Sequence, residues 1–446
     1  MKVKKWNRYC TAIIIFGASC ITPMSTQADC GSTYTAAMAQ CSTDQQNRDN
    51  LAYNTYVASY WNAQNTYTNT VNQDAIAQAL AQQTALNTFY TFVGNPQVFN
   101  DIGSCGSADV AATKTAVDTY NQAVVACGTN TQCVCQAGAA CIYSEATAED
   151  QATKCANDAQ NTYNQSVANA TATQNQNDRQ ANAAFINGSG TANATYVQSG
   201  IMSDNYTAPL CGAQAGTTCA NCELDADCSQ NPGNCCVDGC EKTYNNNCLS
   251  AYTAYVNSVG PADAQNNHDQ IMCGVTQSHD DWVSYAQQEY TIDVANATYQ
   301  YNQTLAWNIY QYTTSVAAEE WNKDVSLCGC NSTSDSQYNA CVATANATQT
   351  ATDNNAQAAY NQQANVPPAT PTGNNWNTWN STVTTATNAL QAAYTTHALT
   401  EQTCVQNAQN TFNAVYKSGV TAYNNTCAAA YQSWTNCCNG CNPSKG

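Results

Sequence analysis

From Val283 to Val316, apolar and tyrosine side chains recur at Val283, Ala286, Tyr290, Val294, Ala297, Tyr301, Leu305, Ile309, Tyr312 and Val316. The steps are all three or four and average near 3.7, which is the stripe of an α-helix with one buried face. No Gly or Pro interrupts Thr276 to Leu327. About 45 helical residues rising 1.5 Å each make a rod of roughly 65 Å. The same period runs from Cys41 to Val93 through Tyr53, Val57, Tyr60, Tyr67, Val71, Ile76, Leu80, Leu86 and Tyr90. It returns from Trp376 to Trp434 through Trp379, Val383, Ala386, Leu390, Tyr394, Cys404, Ala408, Phe412, Val415, Tyr423 and Cys427. Weaker helical stretches cover about 108–126, 144–184 and 335–364.

Breaks are predicted where turn-forming residues gather. Gly94-Asn95-Pro96 follows the first rod, Asn187-Gly188-Ser189-Gly190 ends the third segment, and Pro367 to Gly373 precedes the last. Antiparallel helices joined by such turns predict an all-α, elongated bundle. Several helices open on Cys followed by Ala and Tyr at helical spacing, at Cys155, Cys341 and Cys404. Cysteines so placed suit clamps between neighbouring helices. Divergent duplication and a restricted Ala/Asn/Gln/Tyr alphabet explain the likeness equally well.

Composition changes what the core can be made of. Leu, Ile, Val and Phe together supply 54 of 446 residues, a share at which disorder is normally expected. Ala, Tyr and Cys are plentiful instead, so the chain must pack on small and aromatic side chains and limit its unfolded state with disulfides. The polar face is Asn, Gln, Thr and Ser rather than Glu, Lys and Arg. Asn and Thr each cost a few tenths of a kcal/mol against Ala in a helix, so these helices depend on burial and crosslinks. Weakly charged amide surfaces also hydrogen-bond to one another and to glycans, which makes self-association the expectation.

The first residues set the compartment. Lys2, Lys4, Lys5 and Arg8 precede the apolar run Thr11 to Ser19, and Thr26-Gln27-Ala28 offers a small-residue cleavage site before Asp29. This is the order of a secretory signal over residues 1–28, and the run is too short to span a bilayer. Gly17-Ala18-Ser19-Cys20 resembles a lipobox, which implies a lipid anchor at Cys20, with Gly17 where a bulky aliphatic residue is usual. Beyond Ala28 the chain keeps 25 of its 27 cysteines, 8 basic residues and all 30 acidic ones, a net charge of −22. In an exported chain the cysteines are structural disulfides by default, and an odd count leaves one thiol over. So acidic a chain lacks the clustered Lys and Arg that nucleic acid or an anionic membrane surface requires.

Eight cysteines crowd one segment: Cys211, Cys219, Cys222, Cys228, Cys235, Cys236, Cys240 and Cys248. The block CELDADCSQNPGNCCVDGC carries C-x-x-D-x-x-C at Cys222, Asp225 and Cys228, then the adjacent Cys235-Cys236, then Cys240. It resembles a whey-acidic-protein four-disulfide core. Six residues separate Cys228 from Cys235 where that family has five, and the last gap, to Cys248, is long. The resemblance implies a small knot of internal disulfides with little regular structure. Some family members inhibit serine proteases through a loop near the second cysteine, matched here by the small residues of 212–218. The domain organisation expected is a helical region over 29–205, a knot over 206–250 and a second helical region over 251–446.

Candidate chemistry is otherwise sparse. No G-x-S-x-G, H-E-x-x-H or phosphate-binding Gly loop occurs, and the expectation is a protein that is not an enzyme and carries no cofactor or metal. Cys133-Val-Cys135 and Cys328-Gly-Cys330 have spacings that also bind soft metals. His268-Asp269 and His279-Asp280-Asp281 are candidate cation contacts, read more simply as solvated loop residues. Eleven N-x-S/T sequons, Asn164 and Asn424 among them, are what this composition yields by chance. The tail CCNGCNPSKG places Cys437, Cys438 and Cys441 past the last helical stripe, where a cysteine can reach another chain. The function expected is a secreted structural or adhesive protein of the cell surface or matrix. Its partners would be itself, other surface proteins or glycans, with no nucleic acid and no membrane span. The alternatives are a binding module or protease inhibitor acting through 211–248, and a metal- or redox-active cysteine protein.

Overall fold

A computed structural model describes residues 27–98, 100–227, 232–364 and 373–440, with backbone only at 27–34, 37, 205–227 and 232–238. Residues 1–26 of the signal segment, Cys20 among them, and Pro367 to Pro371 fall outside these residues. The described chain is all-α: six helices, α1 Gln27–Val93, α2 Gly103–Cys127, α3 Thr131–Asp227, α4 Pro232–Asn331, α5 Asp335–Gln363 and α6 Asn374–Gly440, with no strand among the described residues. The turns at 128–130 and 332–334 are as short as antiparallel neighbours allow. At the second, Ser334 caps α5 by accepting from Gln337 N, while the Gln337 side chain accepts from Thr333 N, a reciprocal cap of the S-x-x-Q kind.

The chain packs as two compact units, neither contiguous in sequence. Among the described residues, one is built from 27–57, 193–270 and 406–440, the other from 58–192 and 271–405.

In the second unit the helices pair antiparallel. Phe89 meets Tyr163 between α1 and α3, Ser315 donates to Asp150 between α4 and α3, and the Trp307 ring meets Tyr360 between α4 and α5. The buried side chains are almost all alanine. Ala172, Ala183 and Ala286 are at most 1% exposed, and no aromatic side chain is among the buried residues described. Buried positions recur every eleven residues: Ala172 and Ala183 on α3, Ala286, Ala297 and Asn308 on α4, Ala345 and Ala356 on α5. Eleven residues per three turns is 3.67 per turn, above the 3.6 of a straight helix where the heptad's 3.5 is below it, so the stripe favours slight right-handed winding in place of the heptad's left-handed one. The tyrosines of the sequence stripes lie beside this seam rather than in it, as where Tyr60 and Tyr67 flank Phe185. Helices close enough for alanine to meet alanine leave no room for a ring between them.

The break predicted at Asn187 to Gly190 is absent; α3 runs on to Asp227. The glycines serve close approach instead. A Cβ on Gly188 would lie 3.0 Å from Ala63 Cβ, and one on Gly190 only 2.4 Å from Val275 Cγ2. The interior of a helix tolerates glycine at roughly 1 kcal/mol each, and packing of α1 and α4 against α3 outweighs that.

Two interruptions on opposite sides of the sequence have the same construction. From Phe89 to Cys105 the chain advances 16 residues while α3, from Tyr163 to Cys155, advances 8. From Tyr360 to Trp376 it again advances 16 while α4, from Trp307 to Tyr299, advances 8. On the far side of each interruption the chain resumes the same direction along its partner helix. The necks are held by glycine. Gly94 and Gly103 have φ of 87° and 60°, and a Cβ on Gly103 would sit 2.3 Å from Phe92 O; on Gly373 it would meet Ala364 O at 2.5 Å. The first neck is locked by Asp101, whose carboxylate accepts from Asn95 N at 2.8 Å and Gly103 N at 3.1 Å. Those two bonds hold the Asp101 carboxyl below its ordinary range. A depressed acid stabilises above its unfolded value and loses that contribution as pH falls through the folded one. The Asn95 and Gly103 amide resonances should therefore move together only below about pH 4, and Asp101→Asn should remove the titration. A shared midpoint at or above the ordinary aspartate value counts against the lock.

In the first unit α1 pairs with α3 through Tyr53 and Tyr56 on Tyr196, α3 with α4 through Gln198 to Gln265, and α4 with α6 through Gln270 to Gln409. Gly419 again permits close approach, its absent Cβ lying 2.8 Å from Val259 Cγ2.

Candidate functional site

Cysteine chemistry is where sequence and structure concentrate. The six disulfides whose two cysteines are both described each join two helices. Cys105–Cys155 and Cys127–Cys133 tie α2 to α3, Cys135–Cys330 ties α3 to α4, Cys328–Cys341 ties α4 to α5, and Cys273–Cys404 and Cys240–Cys437 tie α4 to α6. In the second unit the two C-x-C motifs mesh. Cys135 and Cys330 bond to each other, while Cys133 and Cys328 each bond across the adjoining turn. All four sulfurs of the metal-like spacings are thus spent in disulfides. The helical repeat supplies this geometry, since residues two apart point to different neighbours.

The predicted knot residues distribute as follows. Cys240 bonds Cys437 of α6, not a cysteine of its own block, and Cys248 carries a free thiol. Cys211, Cys219, Cys222, Cys228, Cys235 and Cys236 lie outside the described side chains. Of the three cysteines expected to reach another chain, Cys437 is engaged within this one, Cys438 is free and half-buried, and Cys441 lies outside the described residues.

Cys248 is not isolated. In the first unit it faces Cys427 of α6 within hydrogen-bonding reach. The register shows why. Tyr244 meets Tyr431 with ring centroids 6.3 Å apart and planes at 72°, and Tyr252 meets Tyr423 at 6.3 Å and 71°. One turn inward from each of these contacts lie Cys248 and Cys427. The two segments are copies of one motif: Tyr244-Asn-Asn-Asn-Cys248-Leu-Ser-Ala-Tyr252 and Tyr423-Asn-Asn-Thr-Cys427-Ala-Ala-Ala-Tyr431. Run antiparallel, Y-N-N-x-C-x-x-A-Y is complementary to itself, with the cysteine at its centre. This was the signal in the sequence that periodicity alone does not expose: a nine-residue repeat 179 positions apart (244 to 423).

The tyrosines also reach the sulfurs along their own helices. The Tyr244 hydroxyl bonds Cys248, which with the nearby thiols raises the phenol above its ordinary value. Tyr423 is raised by burial first and then by its bond to Cys427. Burial first, and then the hydrogen bond that its S–H donates to Cys248, push the Cys427 thiol up. The Cys427 thiol is therefore kept protonated in an aromatic setting, beside the cluster of Trp434 with Tyr244 and Tyr431.

The histidines lie on helices and not in loops. His268 contacts Asp269 at 3.1 Å and His279 contacts Asp280 at 3.0 Å, while His397 of α6 contacts Asp281 of α4 at 2.8 Å. Among the described residues no group of three or more His, Cys, Asp and Glu is placed to hold a metal, and no helix is long and apolar enough to cross a membrane. Known protein families, characterised proteins and solved structures give no match to this chain.

Proposed function

We propose that this protein is a secreted structural or adhesive component of the cell surface or extracellular matrix, and that it associates with itself. The observation that supports this reading most directly is the set of interhelical disulfides on helices as long as 100 residues. Crosslinks of that kind limit unfolding and local opening, the events that expose a chain to proteases. The seams between helices carry side-chain amide bonds where ion pairs are usual, as Gln176 to Gln287 and Gln198 to Gln265. The same chemistry on the outer faces suits contact between copies. Cys438, free on the last turn of α6, is the described cysteine best placed for a covalent link between chains.

Native protein should run as a covalent dimer on non-reducing gels and collapse to the monomer band on reduction. Cys438→Ser should remove the dimer band, with the helical circular dichroism unchanged. A dimer band lost only in Cys441→Ser moves the link to that residue. A monomer by light scattering at every concentration, with no covalent dimer, overturns self-association.

A further inference from the structure

The disulfides between α4 and α6 leave one cysteine pair of the same helices open. Cys248 and Cys427 oppose each other between two matched tyrosine contacts, two turns along α4 from the closed Cys240–Cys437 bridge. We propose that Cys248 and Cys427 form a modification site, a thiol pair that closes into an α4–α6 disulfide by exchange with an external disulfide. Closure is a two-step exchange. One protein thiolate attacks a sulfur of R–S–S–R, forming a mixed disulfide and releasing the first R–SH. The second protein thiol then attacks the protein sulfur of that mixed disulfide and releases the second R–SH. The protein pair is oxidised by two electrons, R–S–S–R is reduced to two thiols, and the two protons leave with them.

Three observations carry this assignment beyond an accident of contact. The pair sits at the centre of a motif that occurs twice and meets its own copy, so both sulfurs occupy equivalent places. The flanking rings fix the register on either side, which holds the thiols opposed without help from the bond. A groove of about 570 Å³ begins beside them, lined by Ala251, Tyr255, Gly419, Tyr423 and Thr426, and gives a small disulfide a way in. Cys427 is pushed up by burial, so attack by its sulfur is slow at neutral pH and speeds as pH rises. The site is independent of whether the chain self-associates, because both thiols belong to one chain.

The test uses the full-length protein incubated with oxidised glutathione at about pH 8.5 without denaturant, blocked with N-ethylmaleimide and digested with chymotrypsin without reduction. Cleavage after Tyr244, Tyr252, Tyr423 and Tyr431 should release residues 245–252 linked to 424–431, with two maleimide labels lost relative to untreated protein. The same linked peptide in protein as purified also supports the assignment. In Cys248→Ser, Cys427 should instead retain glutathione as a stable mixed disulfide, with helical content unchanged. Stable glutathione or maleimide on both cysteines of the native chain overturns the proposal. So does loss of two maleimide labels in Cys248→Ser with no glutathione in their place, which would mean that another pair had closed.

Discussion

Replacing Cys135 and Cys330 together by alanine is expected to lower the unfolding free energy by roughly 4–5 kcal/mol, whereas replacing Cys127 and Cys133 costs roughly 2. The difference comes from the unfolded chain. Cys135–Cys330 closes a sequence separation of 195 and Cys127–Cys133 one of 6, and the entropy removed by a crosslink grows with the logarithm of the loop. Both bridges lie in the second unit and both join helices, so lost native contacts alone would make their effects alike. Guanidinium unfolding separates the two accounts. The Cys135/Cys330 variant should show a lower midpoint and a steeper denaturant dependence, because its unfolded state expands and exposes more surface. Equal losses for the two variants would place the stabilisation in native-state packing.

Ala183→Leu is expected to cost about 3 kcal/mol, at the upper end of overpacking penalties, while Ala184→Leu, one residue on, should change stability by less than about 0.5 kcal/mol. Ala183 is fully buried and Ala184 is exposed on the same helix, and leucine is almost as good a helix former as alanine. The contrast isolates the seam. A larger side chain usually finds room when a neighbour changes rotamer, but most buried positions of this unit are alanines, which have no rotamer to change. The helices themselves would have to separate, and the disulfides resist that. Thermal unfolding of the two variants beside the parent chain measures the difference. Equal behaviour would mean that the helices are not packed on their alanines.

How much of this was readable beforehand depends on whether the governing physics is local. The period of 3.7 between Val283 and Val316 places a helix because backbone bonds reach only four residues along the chain, and α4 contains that stretch. Gly94 and Gly373 were legible as helix ends because positive φ or a close carbonyl excludes other residues there. The same residue type at Gly188 and Gly190 misled, since its reason is the nearness of Ala63 and Val275, more than 80 positions away in each direction.

Cysteine number and placement predicted interhelical clamps, and the described disulfides are that. Their partners were beyond reach. Cys240 looks toward its own crowded block in sequence and bonds Cys437 in space, because pairing is decided by which helices face each other and in what register. The Tyr244 and Tyr423 motifs show the boundary most clearly. Both copies stand in the sequence as written, but only the antiparallel packing of α4 on α6 sets one cysteine against the other. The tyrosines likewise announced a helical stripe, while the distance between helices, set by alanine, decided that they would line the seam and not fill it. The sequence by itself determined the helices and the oxidisable cysteines along them. Tertiary structure decided the interleaved units, the disulfide partners and the opposed thiols, because each depends on contacts between residues far apart in the chain.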